Sequence, residues 1–184
     1  NTLALVTNTL LRYGVWPRLR DLTDLQAVED AIDDKTCCVF LEIVTNPQLE
    51  VADLQSIAEA AHQKGLPVIA DSTVIPFTET HLKELGVDVE VVSSTKYLSG
   101  GGTSLGGLVI DYGTFPLINQ RIKYELLFNL GAYMTPQAAY LQTLGLETLD
   151  VRYQRQAANA LQLAKRLREQ DLIQRVNYIG LADN

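Results

Sequence analysis

Redox-active and metal-ligating side chains are scarce in this 184-residue chain, which has two cysteines, two histidines and one methionine. His62 and His81 fall in predicted surface helices with no partner at metal-ligand spacing, and they are assigned no chemistry. Cys37 and Cys38 are neighbours in a predicted strand, where successive side chains face opposite sides. They are read as packing residues that would not pair easily. Positive charge is also in deficit: 15 Lys and Arg stand against 22 Asp and Glu, for a net charge of −7. No basic stripe results, which argues against nucleic acid or an anionic membrane surface as a partner. Apolar runs stay well short of the roughly 18 residues a membrane span requires, and no charged-then-apolar leader opens the chain. Phosphate-loop spacings of the GxxxxGK[ST] and GxGxxG kinds are absent, so a nucleotide site is not expected. Internal repeats and low-complexity linkers are missing too.

What is present is ordinary globular material, 47% hydrophobic and 20% charged, enough for one sizeable core in a soluble, cytosolic protein. The chain opens on Asn1, and its methionine is Met134, so a piece of a longer product is expected. Short apolar runs at 3–6 and 15–19 begin a strand–helix rhythm. A helix over 24–32 follows, capped by Thr23 or Asp24. A strand is predicted over 37–43, stopped by Asn46-Pro47. A helix over 51–64 then sets Leu54, Ile57, Ala58 and Ala61 on one face and closes at Gly65. Strands at 67–71 and 89–93 flank a short helix near 78–85, and 105–110 returns as a further strand. Strands separated by helices in this way imply parallel pairing and right-handed crossovers, so the fold class is α/β. After Tyr112 only helices are predicted, over 118–127, 135–144 and 147–169. The last is amphipathic, with Leu149, Ala157, Ala160, Leu161, Ala164 and Leu167 recurring mainly every three or four residues and Arg152, Arg155, Lys165 and Arg166 on its polar side. Residues 171–179 are expected to begin another strand.

Chemistry concentrates at the strand ends. Lys96, in Ser93-Ser94-Thr95-Lys96, follows an apolar run containing Val89, Val91 and Val92 and precedes Gly100-Gly101-Gly102. It therefore sits where a buried strand breaks into a loop. An imine-forming amine suits that position, provided the site counters the protonation a free lysine has near neutral pH. Asp71, after the preceding strand, is placed to keep a pyridine nitrogen protonated; by itself it also reads as a turn cap. Ser93 and Thr95 set hydroxyls on the same side of a strand end, suited to phosphate oxygens, although Ser-Ser-Thr-Lys alone is also a solvated turn. Asn46 is a candidate donor to a cofactor ring hydroxyl, in a dipeptide that also commonly starts turns. Because the carboxyl ends of parallel strands line one crevice, these residues are expected to converge. The three glycines provide flexibility or close approach of another chain. Tyr97 is left without a role.

Glu42-Ile43-Val44-Thr45-Asn46-Pro47, Ala70-Asp71-Ser72-Thr73 and Ser93-Ser94-Thr95-Lys96-Tyr97-Leu98-Ser99-Gly100 together resemble the fold-type I pyridoxal-phosphate enzymes of cysteine and methionine metabolism. Phe128-Asn129-Leu130-Gly131-Ala132 and Gly145-Leu146-Glu147-Thr148-Leu149 are similar to that family's run into its long connecting helix. The resemblance implies an aspartate aminotransferase-like large domain with a mostly parallel sheet, incomplete here. Residues 1–146 would belong to that domain, and residues 147–184 to the connecting helix and the start of the next. It implies pyridoxal 5'-phosphate as cofactor. Lys96 would be the imine-forming lysine and proton shuttle, Asp71 the partner of the pyridine nitrogen, Ser93 and Thr95 phosphate ligands, and Asn46 a contact of the ring hydroxyl. It further implies an amino-acid substrate and a homotetramer.

Within the family, Gly102-Thr103-Ser104-Leu105-Gly106-Gly107 looks more like O-acetylhomoserine sulfhydrylases than the lyases, which tend to carry an acidic residue near Thr103. Sulfhydrylation of an O-activated homoserine by γ-replacement is the expected reaction. Methionine or cystathionine γ-lyase and cystathionine γ-synthase are the enzyme alternatives, and a non-catalytic assembly scaffold is the alternative of another class. Two departures stand out: Gly101, where the family usually shows histidine, and Ser72-Thr73-Val74-Ile75-Pro76 in place of Asn-Thr-aromatic. An upstream glycine-rich phosphate loop, a ring-stacking tyrosine and a downstream carboxylate-binding arginine are not in the sequence, which resembles a central fragment of low expected turnover.

Overall fold

A computed structural model describes residues 2–181. Its centre is a four-stranded sheet in the order β1 (Val39–Glu42), β2 (Val68–Asp71), β3 (Val89–Val92) and β4 (Leu108–Asp111). The first three strands are parallel and β4 runs antiparallel to β3. Connections explain the difference. The Leu54–Gln63 helix carries the chain back between β1 and β2, and a 3-10 turn at Leu82–Leu85 does so between β2 and β3. Between β3 and β4 lies a loop without a helix, so the chain returns beside β3 in the opposite direction.

Aliphatic side chains on the Leu54–Gln63 helix bury one face against the sheet. Leu54, Ile57, Ala58 and Ala61 join Leu41, Val68 and Ala70 in the core, as the helical spacing predicts. Asp53 starts that helix by accepting the Ser56 N–H, and Gly65, at φ 69°, follows its end. Asp24 likewise caps Leu25–Ala31, by accepting from Ala27 N–H, which selects Asp24 over Thr23 as the cap. His62 is not a plain surface group: its Nε2 lies 2.9 Å from Oδ2 of buried Asp88, which also accepts the Val68 N–H.

Four sequence expectations change. Residues Thr2–Tyr13 form helical turns where 3–6 suggested a strand, because short Leu- and Ala-containing runs satisfy either period. The 15–19 run holds Pro17, which lacks an N–H for a ladder, and it is irregular. Cys37 and Cys38 precede β1 and do not alternate across it. Their Sγ atoms are 4.0 Å apart, both thiols are free, and burial followed by the Cys37 thiol pushes Cys38 up to about 12. Residues 171–179 form no strand; Tyr178 instead donates its hydroxyl to the Ala157 carbonyl, folding this segment onto the long helix.

After β4 the chain is helical: Pro116–Arg121 runs into a π-helical stretch at Ile122–Asn129, followed by Pro136–Leu146 and Leu149–Arg168. Along the last of these Leu149 and Ala164 are buried and Ala157, Ala160, Leu161 and Leu167 are half-buried, which matches the predicted apolar face. Among the described residues no helix is long and apolar enough to cross a membrane.

Candidate active site

Parallel register aligns three strand ends. Glu42 pairs with Asp71, and Asp71 pairs with Val91, so the segments leaving β1, β2 and β3 emerge side by side. Asn46, Thr73 and Val74, Thr95 to Tyr97 and Gly100 to Gly102 line one cleft there, of about 630 Å³, closed on a further side by Arg152 and Gln156. Lys96 is exposed within it.

Each group is fixed by its local backbone. The Glu42 carboxylate accepts the Asn46 N–H at 3.2 Å, and Thr45 closes the same loop by accepting the Glu50 N–H on its hydroxyl. Lys96 rides a turn in which its own N–H donates to the Ser93 carbonyl, Ser99 N–H to Ser94, and Gly100 N–H to Tyr97. Consecutive positive φ values of 81°, 141° and 73° at Gly100, Gly101 and Gly102 swing the chain away, a path side chains beyond glycine rarely adopt.

Asp71 and Ser93 do not themselves wall the cleft; Thr73, which does, ties them together. The Thr73 N–H donates to Asp71 Oδ1 at 2.9 Å, and its hydroxyl oxygen accepts the Ser93 N–H at 2.8 Å. Thr95 has a commitment that the sequence does not reveal. Its hydroxyl donates to the Gly106 carbonyl at 3.2 Å and accepts the Gly106 N–H at 2.9 Å, bracing the turn against the approach to β4. Tyr97 packs edge-on against Tyr153, with ring centroids 5.6 Å apart.

Of the predicted site residues, Lys96, Asn46 and Thr95 thus share the cleft, with Asp71 and Ser93 joined to it through Thr73. Sequence reasoning misses Thr73, Gln156 and Arg152. Arg152, predicted for the polar side of the long helix, turns inward. Its Nη1 donates to the Tyr97 carbonyl at 2.9 Å, Nη2 to the Gly145 carbonyl at 2.7 Å, and Nε to Thr148 Oγ1 at 3.0 Å. Helical periodicity carries no signal for this, because Arg152 satisfies a contact from a distant loop.

The profile of the Cys/Met metabolism PLP-dependent enzymes matches residues 1–184. This chain belongs to that family. It is 41% identical to the O-acetylhomoserine sulfhydrylase of Wolinella succinogenes, with a TM-score of 0.90 over 100% of this chain and 57% of that one. A Campylobacter jejuni protein whose structure holds a lysine joined to pyridoxyl 5'-phosphate is 33% identical, with a TM-score of 0.93, covering 100% of this chain and 51% of that one. L-methionine γ-lyase of Pseudomonas putida is 37% identical over 98% of this chain and 45% of its own length. The chain spans about half the length of the relatives it matches. The family depends on pyridoxal 5'-phosphate, and the groups present fit that molecule: an exposed primary amine in a roomy cleft, an amide at its wall, and a carboxylate one residue-to-residue hydrogen bond away.

Proposed function

We propose that this chain carries the lysine-bearing part of a pyridoxal-phosphate site for γ-replacement on an O-activated homoserine, with sulfide or a thiol as the incoming group. The observation that carries the reading is the gathering of Lys96, Asn46 and Thr95 on one cleft, with Asp71 held beside it through Thr73. In the same reading, residues 1–146 belong to the cofactor-binding domain and 147–184 lead into the next, and the complete enzyme is a homotetramer. Exposed Leu117, Phe128, Leu130 and Tyr133 supply apolar surface for such assembly.

When bound, pyridoxal phosphate supplies an aldehyde carbon for amine exchange and a protonated ring that withdraws electrons. Lys96 first holds the cofactor by its ε-nitrogen. With its ε-nitrogen free, Lys96 would take the α proton and return a proton further along the substrate. Asp71 holds the proton on the ring nitrogen, and Thr73 orients the carboxylate by donating to Oδ1. Asn46 donates to the ring hydroxyl oxygen from a loop that Glu42 secures. Ser93 and Thr95 would hold the phosphate of the cofactor, Thr95 from a turn that its hydroxyl already braces against Gly106. The net change breaks the γ carbon–oxygen bond and forms a carbon–sulfur bond, with the acyl group leaving as its acid. The sulfhydrylase reading over the lyases is supported by the absence of an acidic residue around Thr103 and by the Wolinella relative.

A substrate panel on the full-length parent tests this. Sulfide-dependent consumption of O-acetylhomoserine without release of an α-keto acid is expected. Release of an α-keto acid from methionine or cystathionine, with no sulfhydrylation, would overturn it in favour of a lyase.

A further inference from the structure

The turn that carries Lys96 does not stand alone on its own strand. It is seated against the junction between the Pro136–Leu146 and Leu149–Arg168 helices. Gly145 leaves no room there: a Cβ at this position would lie 2.3 Å from the Leu98 carbonyl oxygen and 2.6 Å from the Ser99 carbonyl carbon. Tyr153, one turn into the long helix, packs edge-on against Tyr97. Between these contacts sits half-buried Arg152, whose guanidinium reaches the Tyr97 carbonyl, the Gly145 carbonyl and the Thr148 hydroxyl together.

We infer that Arg152 is a positioning residue for Lys96. The inference rests on the reading of Lys96 as the reactive amine. No carboxylate pairs with Arg152 among the described residues; its acceptors are neutral oxygens, two of them main-chain carbonyls from different segments. An arginine kept only for solubility would not direct three nitrogens at neutral oxygens of one turn–helix junction. The Tyr97 carbonyl belongs to the residue next to Lys96 and already accepts the Gly100 N–H. A charged donor on the same oxygen fixes the closing end of the turn, and the planar fork fixes its angle to the two helices. Arg152 also lines the cleft, so the side chain that ties the turn to the long helix faces the same space as Lys96.

The test compares R152M and R152K with the parent full chain, first by amide hydrogen exchange without any cofactor. R152M is expected to raise exchange at Ser99 and Gly100 about tenfold, while exchange in β1 to β3 stays unchanged. R152K, which keeps charge but loses the fork, should recover part of that protection. A second readout uses saturating pyridoxal phosphate and borohydride: the rate of covalent incorporation at Lys96 should fall about tenfold in R152M, while non-covalent retention of the cofactor changes little. Parent-like exchange at Ser99 and Gly100 in R152M, or parent-like incorporation at Lys96, would overturn the inference, as would loss of protection spread evenly over the sheet. If the parent itself incorporates no cofactor at Lys96, the functional reading fails and the positioning role of Arg152 falls with it; a parent that labels and an R152M that labels equally well removes Arg152 alone.

Discussion

Glu90 has no exposed surface, yet it stands in the middle of β3 with both carboxyl oxygens engaged, one by the Ser72 hydroxyl and the other by Tyr112 at 2.6 Å. It joins the end of β2, next to Asp71, to the residue that follows β4. In the sequence this position is hidden inside the apolar run Val89, Val91 and Val92, because a buried carboxyl with satisfied partners leaves no periodic trace. Its effect shows on Tyr112. Burial first, then the hydrogen bond to Glu90 and its charge, push the phenol above its ordinary range. The folded state therefore keeps a proton that the unfolded chain releases near pH 10. This contribution is fully present below about pH 10 and lost as pH rises beyond it. Y112F is expected to flatten the decline in urea midpoint between neutral and strongly alkaline pH, relative to the parent; an identical decline in both would remove Tyr112 from the account.

At the scale of elements, the turn from Ser93 to Gly102 and the helix junction at Gly145 form one unit. The turn was legible in advance, since an apolar strand breaking into Ser-Ser-Thr-Lys and three glycines marks a loop by local chemistry alone. The junction was not. A glycine between two predicted helices reads only as a stop, whereas here it lies within Pro136–Leu146 and admits the Leu98 carbonyl. G145A should cost about 1–3 kcal/mol through overpacking against a main chain that has no rotamer to yield. The expected result is a lower urea midpoint together with slower cofactor incorporation at Lys96. A stable variant with unchanged incorporation would show that the turn and the helices are independent.

Across the whole molecule, the sequence carries its local signals faithfully and its long-range ones poorly. The positions of β1 to β4, the core face of the Leu54–Gln63 helix and a cap at Thr23 or Asp24 follow from neighbours in the chain, whereas the short apolar runs at 3–6 and 15–19 mislead. The partners of Thr73, Thr95 and Arg152 depend on segments brought together by the sheet and by the long helix, so no spacing announces them. The antiparallel return of β4 and the failure of 171–179 to form a strand are likewise matters of which neighbour is available. What unites the scales is the claim that parallel strand ends present Lys96 as the amine that takes a pyridoxal aldehyde. Its most direct measurement is to mix the full chain with pyridoxal phosphate, reduce with borohydride and map the modified peptide. The account predicts the label on Lys96 and its loss in K96A. A label confined to another lysine, or no label at Lys96, would contradict it.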